Sequence, residues 1–289
     1  MVGGKQMKIG VVGNGYVGGA IAHGFSPTST GNCIVKVYDK LPERSLNTLE
    51  ETVNDSDFIF VSVPTPMTKE GSISLKYVDQ VFQEINDVNK RTDNIIILKS
   101  TVIPGTTEKL QEKLPKLNIV FNPEFLTERS SRLDFINQSR VILGGDKTQT
   151  SKVAELYKSR FKYCHVIETD YKTSEIIKYF GNIFFTVKVS FANEMKLICE
   201  KIGADWETAL EGFVADGRVG DSHLNVPGPD GKRGFGGSCF PKDINAFMAF
   251  AKSVGINTHT IDGAWKTNLE VRPEQDWKEL KGRAIDEEE

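Results

Sequence analysis

The chain is poor in the features that mark membrane, secreted and nucleic-acid-binding proteins. No apolar run approaches the ~20 residues of a membrane-spanning helix; the longest are Phe58 to Val63 and Ile95 to Leu98. Met1 to Met7 carries no apolar signal core, so a cytoplasmic location is expected. A basic excess is also missing. The 36 Lys and Arg stand against 39 Asp and Glu, a formal charge of −3, which argues against a nucleic-acid partner. The four cysteines, Cys33, Cys164, Cys199 and Cys239, have no C-x-x-C spacing. Free thiols in a reducing compartment are expected, with no metal. At roughly 150 residues per domain, the 289 residues suffice for about two domains with real cores.

What is present is glycine in two clusters. The first half alternates short β-rich runs (8–12, 34–38, 58–63, 95–99, 119–121, 141–143) with helical patterns (16–25, 75–89, 106–114). Several runs are continuously apolar, as in a parallel sheet buried on both faces. The alternation predicts an α/β domain, a Rossmann-type doubly wound sheet over residues 1–169. Beyond Asp170 apolar residues recur every three or four positions, at Ile176, Phe180, Ile183, Phe184, Val187, Phe191, Met195 and Ile198. That spacing predicts one long amphipathic helix opening an all-helical domain over 170–270. Further helical patterns run over 206–214 and 244–254. The end, 271–289, is charged and expected to be a frayed helix or a tail.

The first cluster is a strand running into G-x-G-x-x-G at Gly13, Gly15 and Gly18, with an acid, Asp39, closing the second strand. Gly13 suits the tight turn, Gly15 the approach of a pyrophosphate, and Gly18 close helix packing. The phosphates would meet the helix N-terminus. A carboxylate at Asp39 suits the ribose hydroxyls of NAD and repels the 2′-phosphate of NADP, although Lys40 beside it blurs that choice.

The second cluster, Gly234 to Gly237, precedes Cys239, Pro241, Lys242 and Asp243. Proline suits the first turn of a helix. Cys239 is therefore expected at a helix N-terminus near a cation, two influences that favour a thiolate nucleophile. The other three cysteines lack such a setting and read as inert. Lys178, Asn182 and Asn193 fall on nearly one stripe of the long helix. That stripe is either its solvent face or a set of polar groups serving chemistry.

These motifs together resemble the nucleotide-sugar 6-dehydrogenases, the UDP-glucose/GDP-mannose dehydrogenase family. The likeness spans about residues 7 to 272. It rests on Gly13-Asn-Gly-Tyr-Val-Gly18, Val63-Pro-Thr-Pro66, Ser100-Thr-Val-Ile-Pro-Gly-Thr106 and Asn122-Pro-Glu-Phe-Leu-Thr-Glu128. Lys178-Tyr-Phe-Gly-Asn182, Phe191-Ala-Asn-Glu194 and the Gly234 to Asp243 run complete it.

The resemblance implies oxidation of a sugar C6 hydroxymethyl to a carboxylate with two NAD in succession, UDP-glucose to UDP-glucuronate first among the substrates. Cys239 would carry a thiohemiacetal and then a thioester. Lys178 and Asn182 would stabilise the oxyanion at C6. Asp243 would act with an ordered water as base, and Glu128 and Thr101 would orient hydrolytic water and line the nicotinamide.

Cofactor contacts are implied from Gly13, Gly15, Tyr16, Val17, Gly18, Asp39 and Lys40. Pro64, Thr65, Thr101 and Glu128 would add to them. Glu124, Phe125, Leu126, Lys178 and Asn182 would face the substrate, as would Phe235, Gly236 and Gly237. Arg218, Lys232 and Arg233 can meet diphosphate charge and His223 can hydrogen-bond. Each of these loop charges reads equally as plain solvation.

Two departures stand out. Thr127 occupies a position that is usually basic, and the second Rossmann-like domain that family members carry at the C-terminus is not in the 289 residues. By analogy the helical domain mediates a homodimer. A β-hydroxyacid-type dehydrogenase, which also carries a helix-borne Lys and Asn, and an idle NAD-binding protein are the competing readings.

Overall fold

A computed structural model describes residues 6–286. The apolar runs become strands β1 (Met7–Val12), β2 (Cys33–Tyr38), β3 (Phe58–Val61), β4 (Ile95–Leu98), β5 (Ile119–Phe121) and β6 (Arg140–Gly144). A seventh, β7 (His165–Thr169), was not anticipated. They form one sheet in the order β2-β1-β3-β4-β5-β6-β7. The pairing is parallel except at β5 and β6, which meet antiparallel through Phe121 and Gly144, so the sheet is mixed and not wholly parallel as expected.

Alternation along the strands explains why the runs are apolar throughout. Phe60, Ile95 and Ile97 pack into one core with Phe25, Phe135, Tyr157 and Phe161. Ile59, Val61, Ile96 and Leu98 pack into another with Val78, Phe82 and Leu110. The sheet is buried on both faces, which only covering helices on both sides permit. Those helices are α1 (Tyr16–Gly24), α2 (Pro27–Thr30), α3 (Leu49–Asn54), α4 (Lys76–Val88), α5 (Thr106–Lys113), α6 (Ser131–Ile136) and α7 (Lys147–Arg160). Helix α3 opens with a reciprocal capping box between Thr48 and Glu51.

The described residues up to Thr65, with Leu75–Lys178, form one compact unit. Pro66–Ser74 and the described residues from Tyr179 onward form the second. The first unit thus runs past the boundary expected at residue 169 into α8 (Tyr171–Ile202), for a visible reason. Glu175 accepts the N–H groups of Gly105 (2.5 Å) and Thr107 (2.7 Å) at the start of α5. Ser174 lies so close to Gly144 that a Cβ there would stand 1.8 Å from its Oγ.

The second unit adds α9 (Trp206–Val214), α10 (Phe240–Ser253) and α11 (His259–Val271). The tail expected over 271–289 is corrected as far as Asp286, the last described residue. Trp277 is 1% exposed and packs 5.3 Å from Trp265. Ile285 bridges Met67. One buried indole and one buried guanidinium, Arg272, order a segment whose composition reads as disordered. No helix among the described residues is long and apolar enough to cross a membrane.

Candidate active site

In the sheet, β1 has β2 on one side and β3 on the other, so the chain order reverses there. Ligands of open α/β sheets bind outside the carboxyl ends of strands at such a switch point. The residues singled out in the first unit lie at those ends: Gly13 after β1, Asp39 after β2, Pro64 and Thr65 after β3, Thr101 after β4 and Glu124 after β5.

The turn after β1 tolerates no side chains at two glycines. Gly13 has φ +91°, and a Cβ on it would stand 2.1 Å from the Ser62 carbonyl oxygen. A Cβ on Gly18 would stand 1.8 Å from the Gly13 carbonyl oxygen. Gly15 differs: no atom lies within 4 Å of the place its Cβ would take, and it begins α1 without a side-chain cap. Tyr16 and Val17 form the first turn behind it. A tight cradle with open space over a helix N-terminus is what a dinucleotide pyrophosphate requires. Asp39 is aimed there by the turn itself, accepting Asn14 N–H at 2.6 Å and Leu41 N–H at 2.9 Å, while Lys40 stays exposed. A carboxylate holds about four acceptor sites, so capacity for ribose hydroxyls remains. The residues present fit NAD.

The ends of β3 and β4 are latched together. Ser100 Oγ accepts from Val63 N–H (2.9 Å) and donates to the Val63 carbonyl (2.7 Å), fixing the approach to Pro64 and Thr65 beside Thr101. After β5 the chain turns through Asn122 to Glu128. Lys178 Nζ donates to the Glu124 carbonyl (2.6 Å) and carboxylate (3.1 Å), both residues being buried. Glu124 also accepts Leu126 N–H at 2.7 Å. Phe125 is covered by Arg140, whose guanidinium lies 4.1 Å from the ring centroid. Glu128 is exposed, next to Thr127, whose N–H is held by Asp134 at 2.8 Å.

Lys99 is a residue the sequence reading passed over as a strand end. It is buried and donates to Asn122 Oδ1 (2.9 Å) and the Pro123 carbonyl (3.3 Å). Burial pushes its ammonium down to about 7, the Glu124 carboxylate opposing and Lys178 assisting. A lysine directly after four buried aliphatics was the available signal. Lys99, Pro123, Phe125, Leu126, Gln138 and Arg140 border a cavity of about 220 Å³ within this unit.

The second unit holds the cysteine. Cys239 caps α10, with Pro241 in the first turn, and is half-buried with Ser238 Oγ 3.7 Å from its Sγ. Asp243, one turn on, is buried and accepts from Asn182 Nδ2 (2.5 Å) and from Lys242 Nζ (2.5 Å). The Lys242 charge is therefore answered by Asp243 and not held for the thiol alone, which corrects one of the two influences expected on Cys239. Phe235 is buried, Gly236 is part-exposed and Gly237 is exposed at φ +72°.

The loop residues fare differently. Arg218 forms a fork on Asp216 with contacts of 2.5 to 3.2 Å. Lys232 pairs with Glu274 (3.2 Å) and Arg233 with Glu200 (2.5 Å). His223, at φ +65°, stacks on Phe185 with centroids 4.0 Å apart, and this burial lowers its imidazole below the usual range. Cys33 and Cys164 are raised by burial, Cys33 to about 11, which makes their thiolates scarce. Cys199 is buried.

The polar stripe of α8 is decided. Lys178 and Asn193 are buried, whereas Phe180, Phe184, Phe191 and Ile202 are exposed. A solvent face is thereby excluded at Lys178 and Asn193, and the buried Lys178 ammonium is matched by Glu124.

Comparison with known proteins agrees with this architecture. Sequence models of the UDP-glucose/GDP-mannose dehydrogenase family match in two parts: the NAD binding domain at residues 43–161 and the central domain at 172–270. A UDP-glucose 6-dehydrogenase of Bacillus subtilis is 31% identical over 92% of this chain and 63% of its own length. One from Rickettsia conorii is 35% identical over 77% of this chain and 51% of its own length. The chain thus spans less than two thirds of either relative. The structure of a UDP-glucose dehydrogenase from the archaeon Pyrobaculum islandicum superposes with a TM-score of 0.82 at 28% identity, over 93% of this chain and 70% of that one. With both domain models matched in order and the fold shared, the chain belongs to the UDP-glucose/GDP-mannose dehydrogenase family.

Proposed function

We propose that this chain oxidises the C6 hydroxymethyl of a nucleotide sugar, UDP-glucose in the first instance, to the carboxylate in two successive hydride transfers. The observation that carries the reading is the head of α10: a half-buried Cys239 in a glycine loop, one turn from an Asp243 carboxylate held by Asn182 and Lys242. A single alcohol oxidation needs no nucleophile; a second one does, because an aldehyde has no hydroxyl to oxidise until a nucleophile adds to it, and a thiol suits that addition.

When bound, NAD supplies the hydride acceptor for each oxidation, and the glycine turn, Asp39, Pro64, Thr65 and Thr101 would hold it. Asp243, through water, removes the hydroxyl proton as the alcohol becomes an aldehyde. Cys239 Sγ then adds to the aldehyde carbon, and the oxygen is reprotonated to give a thiohemiacetal. Loss of that proton and of the second hydride leaves a thioester. Water oriented by Glu128 attacks it, expelling the thiolate and yielding the carboxylate. Lys178 and Asn182, one helical turn apart, supply the cation and amide that stabilise the oxyanion; such donors contribute on the order of 3–4 kcal/mol each. Glu124, Phe125 and Leu126 line the sugar. Phe235, Gly236, Gly237, His223 and Arg218 are assigned to the nucleotide sugar by the family resemblance alone.

The chain further works as a homodimer through its helical unit. The exposed Phe180, Phe184, Phe191 and Ile198 on α8 support this, since apolar side chains repeated along one helix are what an isologous interface covers. The four free cysteines fit the reducing cytoplasm.

The test follows NADH release with UDP-glucose, GDP-mannose and UDP-N-acetylhexosamines. Turnover of at least one is expected. Turnover of small β-hydroxyacids alone, or NAD binding with no turnover, contradicts the reading.

A further inference from the structure

The loop that delivers Cys239 has little rigidity of its own. Gly234 and Gly237 sit at φ +65° and +72°, and three of the four residues from Gly234 to Gly237 lack a side chain. Its shape is imposed from the last turn of α11. The Asn268 side chain meets Phe235 as a neighbouring strand would. Its Oδ1 accepts Phe235 N–H at 2.7 Å and its Nδ2 donates to the Phe235 carbonyl at 3.0 Å. Asn268 is fully buried. Arg272, one turn on, is 2% exposed. Its guanidinium donates to Asp276 twice and to Asp230, all at 2.8 Å, and to the Arg233 carbonyl at 3.3 Å.

The glycines are shaped to these two side chains. A Cβ on Gly234 would stand 2.4 Å from Asn268 Oδ1, and one on Gly236 would stand 2.5 Å from an Arg272 nitrogen and 2.7 Å from Asp276. Cys239 follows three residues later. The conformation of the reactive loop is therefore stored in an amide, a guanidinium and two carboxylates that belong to other segments, two of them in the stretch whose composition reads as a tail.

We propose that Asn268 and Arg272 are positioning residues for Cys239, holding the Gly234 to Ser238 loop so that the thiol stays at the head of α10. The proposal rests on Cys239 being the nucleophile for its use in catalysis, but its test needs no substrate. The chain carries its own controls, because Cys33 and Cys199 are buried elsewhere. Wild type, Asn268→Ala and Arg272→Lys are treated with iodoacetamide under native conditions, and alkylation of each cysteine is followed by peptide mass spectrometry.

Loss of the clamp frees the loop to open. Cys239 alkylation rises about fivefold, the change in open population expected for one net buried hydrogen bond, while Cys33 and Cys199 stay as protected as in wild type. Where turnover is measured, kcat/KM falls, since the loop that carries the nucleophile also faces the substrate. Should Asn268→Ala fail to fold, Arg272→Lys and Asp276→Asn carry the same measurement. A Cys239 rate unchanged or slower, or one that rises in step with Cys33 and Cys199, overturns the proposal in favour of a general stabilising role.

Discussion

Lys178 Nζ binds Glu124 twice, at the carbonyl and at the carboxylate, and both side chains are withdrawn from water. Lys99, on the neighbouring turn, feels both charges. Two lysines and one carboxylate leave this dry cluster with one positive charge in excess when all are ionised. The excess is relieved when an ammonium gives up its proton or an anion arrives, which is compatible with the oxyanion role proposed for Lys178.

Removing the carboxylate should expose that imbalance. Glu124→Gln keeps the shape and the carbonyl contact but removes the carboxylate that the buried Lys178 ammonium meets and whose charge Lys99 feels. A loss on the order of 3 kcal/mol in unfolding free energy is expected, the usual cost of breaking a buried pair from one side. Urea denaturation of the two proteins at pH 7 checks it.

Lys99 makes the fold sensitive to pH in a defined direction. Its ammonium falls from the ordinary 10.5 to about 7 in the folded protein. Between those values the unfolded chain binds more protons, so the contribution of this group to stability rises with pH across the window and is least favourable below pH 7. Lys99→Met removes the titration. The difference in denaturation midpoint between wild type and this variant should therefore shift towards wild type from pH 7 to 9. A difference independent of pH would show that Lys99 does not titrate there.

The glycine turn separates stability from cofactor binding. Gly13→Ala and Gly18→Ala push a Cβ into backbone oxygens and should cost stability. Gly15→Val meets open space. It should leave the melting temperature nearly unchanged while weakening NAD at least tenfold, because the added side chain occupies the approach of the pyrophosphate. Calorimetric titration with NAD beside a thermal melt distinguishes the two effects.

Much of this arrangement was legible in the amino acids, and the failures have physical causes. Six strands were visible because a sheet covered on both faces demands unbroken aliphatics, as in Ile95 to Leu98. Strand β7 was missed because at the sheet edge only part of it is covered: His165 and Ile167 are exposed. Helix α7 buries Val153, Ala154, Leu156 and Tyr157 among many polar residues, too weak a period to notice. The antiparallel step at β6 rests on one residue pair and leaves no pattern at all. In the site, Cys239 and Gly13 announced themselves through neighbours in sequence. Lys99 and Asn268 did not, since their partners lie at least 23 positions away. Arg272 has Asp276 four positions on, but its other partners, Asp230 and the Arg233 carbonyl, lie 42 and 39 positions away.

The reading of the last residues as a tail failed on a single indole. Trp277→Ala should cost about 3–5 kcal/mol, the range for large aromatic deletions in cores. If instead the substitution leaves the unfolding midpoint unchanged, the segment from Arg272 to Asp286 is not part of the folded core.

The central claim is that Cys239 carries the sugar between two oxidations. The direct measurement is the number of NADH formed per sugar consumed, on the substrate that turns over, in wild type and in Cys239→Ala. Two per sugar in wild type, falling to one or none in the variant, is the predicted result. One per sugar in wild type, or two retained without the thiol, would contradict it.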